Sequence, residues 1–251
     1  MWLVGLTLSV LIGSAEAQVN IEKMRKEGGE EGLSGAALFD LRVRSGNVDV
    51  WSINLKSQID MIRQQRNFLL ITRGELAWKD GERYSNEGLL HLRHGLRRGE
   101  RVRPECFAQI DYNKARSLEF RGLVGGGLRT RLYRTDGTQI WWGTAYMLEH
   151  ERLEAAAAVR SDRVVTAHRW SNYLNIKIDI DTHARGMLSL YVQPRFTARG
   201  DVRILGDARL QADLIGPLSL SFSGNARCDS RPPATVDDLD LRLGSGLGIE
   251  F

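Results

Sequence analysis

Residues 238–251 read DLDLRLGSGLGIEF. From Leu239 one parity carries Leu239, Leu241, Leu243, Ser245, Leu247, Ile249 and Phe251. The other carries Asp240, Arg242, three glycines and Glu250. A period of two places the two sets on opposite faces of a β-strand, one apolar and one polar. The strand ends on an aromatic residue, and the rest of the chain shows what such a strand is for.

The same alternation runs back through the sequence. Leu33, Gly35, Ala37, Phe39, Leu41 and Val43 share one face, with Ser34, Asp40, Arg42 and Arg44 on the other. SGN then gives a hairpin signal, and Trp51, Ile53, Leu55, Ile59 and Met61 resume the apolar parity. Read this way, the chain predicts twelve strands, at 32–45, 48–62, 67–79, 86–97, 101–112, 118–133, 138–150, 162–180, 186–197, 202–215, 218–229 and 236–251.

These runs are about twice the length of strands in soluble sandwiches. They match the 9–11 tilted residues that cross a bilayer. The third run tests the match. Phe68, Leu70, Thr72, Gly74, Leu76 and Trp78 share a face with an aromatic at each end. Ten residues at ~3.3 Å rise and ~45° tilt span roughly 23 Å, close to the apolar band of an outer-membrane barrel. Tyr112, Phe120, Trp142 and Trp170 also fall on apolar parities and extend the aromatic girdles.

The opposite parity carries charges of both signs. The lumen-lining candidates are Asp40, Arg42, Arg44, Arg73, Glu75, Glu105, Asp111, Arg129, Arg131, Arg195, Asp207, Arg209, Arg227, Asp240 and Arg242, with Glu149, Asp213 and Asp238 on the same pattern. A soluble barrel fills its interior with apolar side chains. Here the apolar face must point outward, the inside-out arrangement of a transmembrane barrel. The expected fold is all-β: a closed antiparallel transmembrane barrel of about twelve strands. Closure requires the last strand to pair with the first, because an open edge in lipid leaves backbone groups without partners. With both ends in the periplasm, KDGERYS, HERLEAAAAVRS and CDSRPPAT are extracellular connections, and RRGE, RTDG and GP are periplasmic turns.

The first residues, MWLVGLTLSVLIGSAEAQVN, read as a secretory signal peptide (1–17) with cleavage after Ala17, although no Lys or Arg precedes the apolar stretch. A charged periplasmic leader (18–31) then precedes the barrel (32–251). The expected location is the outer membrane of a Gram-negative envelope.

The matching stretches VNIEKMR, SGNVD, YMLEHERL, HRWSNYL, YVQPRF, DSRPP and GLGIEF are spread over nearly the whole span of residues 18–251. Through them the chain resembles the domain of unknown function 481 family, bacterial barrels often labelled salt-induced outer-membrane proteins. The resemblance implies an outer-membrane barrel and no activity, since the family brings no agreed catalytic residues. Phe251 resembles the C-terminal signature by which outer-membrane barrels are recognised, which makes the assembly machinery an expected partner beside outer-membrane lipid.

No catalytic, cofactor or metal site is expected. His168 and Ser171 lie three apart in one strand, hence on opposite faces, and His91 and His94 share that geometry. GLVGGGLR lacks the strand–loop–helix setting and the Lys-Ser/Thr of a phosphate loop, so Gly122, Gly125, Gly126 and Gly127 read as wall glycines. DSRPP reads as a structural turn. Cys106 and Cys228, placed on opposite walls, are expected to be free thiols. The basic residues are scattered, which argues against nucleic acid. Three functions remain: a porin-like channel or small-solute uptake barrel, favoured by the sequence, with its solute unspecified; a structural or stress-responsive barrel with a closed, salt-bridged lumen; and, last, a membrane-embedded hydrolase.

Overall fold

The computed structural model describes residues 31–96, 101–155, 162–214, 216 and 218–249. The signal peptide, the leader up to residue 30, part of the 150–162 loop and Phe251 lie outside the described residues. Twelve strands form one sheet in sequence order, each antiparallel to the next. They are β1 (Gly32–Arg44), β2 (Val50–Arg63), β3 (Arg66–Lys79), β4 (Glu82–Leu96), β5 (Val102–Asn113), β6 (Leu118–Arg134), β7 (Thr138–Leu153), β8 (Val164–Asp179), β9 (Ala184–Pro194), β10 (Val202–Asp213), β11 (Leu218–Asp229) and β12 (Leu239–Ile249). Among the described residues the paired ladders run from β1 to β12, and a β12–β1 ladder is not among them.

Every strand follows from its alternation, and the departures have local causes. The expected loop KDGERYS shrinks to a two-residue turn. Asp80 and Gly81 both adopt positive φ (51° and 82°), the backbone that joins right-twisted strands tightly. β4 therefore begins at Glu82, and a register shift between Ala77 and Trp78 absorbs the extra residue. Strand β7 runs three residues past its expected end, to Leu153, because the HERL alternation continues in register with β8. The NKAR connection holds a single 3-10 turn, Lys114–Arg116, whose first free N–H groups are met by the Asn113 side chain accepting from the Arg116 backbone N–H at 3.1 Å. In the β8–β9 turn the Asp181 carboxylate accepts from the backbone N–H groups of His183 and Ala184, both at 2.7 Å. These bonds hold its carboxyl below the ordinary aspartate value.

The curled sheet has two unlike faces. Its convex face carries exposed apolar side chains on strand after strand, from Leu33 and Phe39 through Ile110 and Val124 to Leu243. So continuous an apolar surface marks a face built for lipid. Trp51 pairs across from Trp78 at one rim, and Phe68 stacks on His94 with centroids 4.2 Å apart at the other. The concave face holds the buried charges. It also holds apolar side chains that alternation did not announce: Leu69, Ile71 and Leu89 form one cluster, Phe107, Leu123, Ala145 and Met147 a second, and Tyr173, Tyr191 and Leu205 a third.

Two wall glycines make room for this interior. A Cβ on Gly125 would strike the Phe107 ring, and one on Gly143 would strike the Tyr173 ring. Each glycine lets an aromatic on the next strand lie flat against the wall. Gly143→Ala is expected to displace Tyr173, break its hydrogen bond to Glu105 and lower stability by about 1–3 kcal/mol. Urea unfolding of the variant in lipid vesicles measures the loss, and an unchanged midpoint would show that the ring has somewhere else to go.

Candidate functional site

The interior of the curled sheet is the candidate site, and the level nearest the β7–β8 and β11–β12 connections, the end expected from the sequence to be extracellular, is built around Arg203. Five strands deliver charged side chains there from positions near their extracellular ends: Asp111 (β5), Arg121 (β6), Glu149 and Glu151 (β7), Arg169 (β8) and Arg203 (β10). Asp229 closes β11, and Asp201 immediately precedes β10. The Arg203 guanidinium is buried. Its Nε donates to Asp229 Oδ2 at 2.8 Å, its Nη1 to both Glu149 oxygens and to Glu151 Oε1 at 2.9 Å, and its Nη2 to Glu151 Oε2 at 2.8 Å. Arg169 donates to Glu149 at 3.0 Å and Asp201 at 2.8 Å. Arg121, with no solvent exposure, grips Asp111 through Nε at 3.0 Å and Nη2 at 2.8 Å. Arginine suits such sites because its fork meets a carboxylate bidentately while remaining charged.

Deeper, Arg93 and the Tyr173 hydroxyl both donate to Glu105 Oε1 at 2.9 Å. His91 bonds Gln109 at 3.0 Å, and Gln109 donates to Asp111 at 2.8 Å, so the two levels are linked. A cavity of about 400 Å³, its open mouth included, lies among His91, Phe107, Met147, Ser171 and Tyr191. Towards the periplasmic side Arg129, Arg103 and Arg131 surround the buried Trp141 ring, at 4.2, 4.7 and 5.8 Å from its centroid. These distances are those of cation–π contacts.

The extracellular mouth is crossed from wall to wall. Ser117, between β5 and β6, bonds the Thr235 hydroxyl between β11 and β12 at 3.0 Å. These connections sit six strands apart in a twelve-stranded sheet, so they meet across the lumen rather than along the wall.

The lumen candidates fall into two groups. Glu105, Asp111, Arg129 and Asp207 are buried, Arg131 stands against Trp141, and Arg227 sits half-buried beneath the mouth. Arg195, just beyond β9, pairs with Asp201 at 3.5 Å. The remaining candidates lie on β1, β3, β10 and β12. Asp40 pairs with Arg42 at 2.9 Å along β1, and Asp240 with Arg242 at 2.8 Å along β12. Arg44 and Arg209 are exposed, and Arg73 and Glu75 are half-buried on β3. The hub residues Arg203, Arg121, Arg169 and Glu151 were not singled out from the sequence, although all four lie on lumen parity within their strands.

Among the described residues no group of three or more His, Cys, Asp or Glu side chains is placed to hold a metal. His168 points outward to the Tyr146 hydroxyl, and Ser171 points inward to Gln193 at 3.1 Å. Both cysteines are free thiols.

A family model described as "Protein of unknown function, DUF481" matches residues 39–251. The chain belongs to the DUF481 family. Among solved structures it is similar to the beta domain of the Bordetella autotransporter Brka, at 11% identity over 87% of this chain and 97% of that one, with a TM-score of 0.36. At that score the likeness carries no functional argument. No curated protein matches. Within this DUF481 chain, as in any protein, a buried ion hub exacts its cost when one partner is removed. Arg203→Met leaves Glu149, Glu151 and Asp229 short of a cation and is expected to cost about 3–5 kcal/mol. Urea titration of the folded barrel measures this, and a loss no larger than that of Arg44→Met, on exposed β1, would show that the hub is not structural.

Proposed function

We propose that this protein is an outer-membrane barrel whose lumen rests closed, a structural or stress-responsive component of the envelope rather than an open porin. One observation carries the reading: the extracellular mouth is spanned by contacts between opposite walls, with the Ser117–Thr235 bond above the Arg203 hub. A wide pore keeps charged residues solvated on opposing walls. Here bases and acids neutralise one another at hydrogen-bonding distance and leave little room for solute. The interior therefore reads as a polar core. It serves a barrel whose outer face must be apolar, and no catalytic role is proposed for it.

A second reading, passage of small solutes, rests on the other wall. Arg42 and Arg44 on β1, with Arg209 on β10, stay solvent-exposed on lumen parity. A path along that side would bypass the hub. The choice is made by recording single channels of the detergent-refolded protein in a planar bilayer. The closed reading expects silence from the wild type and discrete steps once residues 231–237 are replaced by a short Gly-Ser link. Stable steps from the wild type would replace it with the solute-passage reading.

A further inference from the structure

Most carboxylates near the mouth are already committed to particular arginines. Asp111 is taken by Arg121, Glu149 by Arg169 and Arg203, Glu151 and Asp229 by Arg203, and Asp201 by Arg169 and Arg195. Two cations remain. Arg227 stands opposite Asp240 in the β11–β12 register, but Asp240 bonds Arg242 instead. Arg116 projects from the 3-10 turn between β5 and β6, and of its polar groups the backbone N–H is bonded, to Asn113. Among the described residues neither guanidinium has an ion-pair partner.

Three atoms sharpen this. Arg116 Nη1, Arg121 Nη1 and Arg227 Nη1 are each hidden from solvent without a hydrogen-bond acceptor. Arg121 has no exposed surface at all, and the closest acid to its Nη1 is Glu151, at 3.7 Å and beyond hydrogen-bonding reach. The three belong to one neighbourhood. Arg116, in the turn outside the strands, is pushed well below its ordinary value, first by enclosure and then by repulsion from Arg227, Arg121 and Arg203. A hidden donor costs free energy unless something accepts from it, and an enclosed cation costs more unless an opposite charge is near. Asp111 lies near Arg116, and Asp229 and Glu151 near Arg227, yet none of them accepts from the hidden Nη1 atoms. All three groups are donors, so the missing complement is an acceptor, and their charge makes it an anion.

We infer that Arg116, Arg121 and Arg227 form a binding site for a small oxyanion beneath the extracellular mouth. Guanidinium donors suit the tetrahedral oxygens of phosphate or sulfate. The site faces the lumen, not the lipid wall, so its ligand is a soluble anion rather than a headgroup. The inference holds whether the lumen rests closed or conducts, because the donors are orphaned in either case. An occupied site would tie the β5–β6 turn to β11 and reinforce the bridge between opposite walls.

Calorimetric titration of the full chain, purified in detergent at low ionic strength, with inorganic phosphate tests the site. Binding is expected at a Kd of about 1 mM or tighter, weakened at least about tenfold in both Arg227→Gln and Arg116→Gln. Arg242→Gln, which removes a lumen cation already paired with Asp240, should bind as the wild type does. Arg116 lies in a turn, so its variant keeps the test valid if Arg227→Gln fails to fold. No phosphate binding by the folded wild type would assign the three donors to ordered water and overturn the proposal. Equal weakening in Arg242→Gln would overturn it too, since lumen charge in general would then be responsible.

Discussion

Lipid offers a backbone no hydrogen bonds, and the architecture follows from that single fact. Each N–H and C=O within the bilayer must find its partner in the chain itself. Strands meet this by pairing with both neighbours, and neighbours in sequence pair most cheaply through short turns. The result is the uninterrupted order from β1 to β12. The same constraint fixes the faces. Lipid claims the convex side for Leu, Val, Ile and aromatic residues, so polar side chains have only the concave side left. The charged interior is the remainder of an outward-facing hydrophobic solution, and its particular arrangement decides what the barrel does.

That arrangement rests on arginine. All but six of the 35 basic residues are arginine. A lysine ammonium is a strongly hydrated point charge, whereas a guanidinium offers a planar fork of donors to several carboxylates. Arg203 uses this fully, holding one carboxylate from β11 and two from β7. A hub of that kind is an uncertain source of stability, because desolvating its ions opposes their attraction. It is a stronger source of specificity. Only one register of β7, β10 and β11 brings the four groups together, and a one-residue slip would turn each slipped strand's members towards lipid.

The alternation carried the fold because face is a local property. Knowing the parity of Glu149 is enough to put it on the lumen side. Nearly every strand boundary was legible for the same reason. The exceptions came from turns: KDGERYS looks long enough for a loop, yet Asp80 and Gly81 alone make the reversal. Parity is silent about neighbours across the lumen. It set Arg129 beside Glu149 as equals, whereas one lies against Trp141 and the other under Arg203. Nor could it assign Leu69 and Ile71, since both faces of β3 are apolar there. Which charges pair depends on how tightly the sheet curls, a global property with no signature in any one strand.

The curl also explains why the two walls differ. From β2 to β10 the concave face is dense, and Ile71, Arg121, Asn175 and Ser189 have no solvent exposure. Along β1 and β12, Asp40 pairs with Arg42 and Asp240 with Arg242, each two residues away on the same strand. Pairs between strands, as at Arg203, fix one wall to another. The rigid half of the interior is thus the half in which ion pairs join strands that are not neighbours in the sheet. The bond from Ser117 to Thr235 extends that half to the mouth. On the closed-lumen reading, opening would begin there, because the Ser117–Thr235 bond lies above the hub.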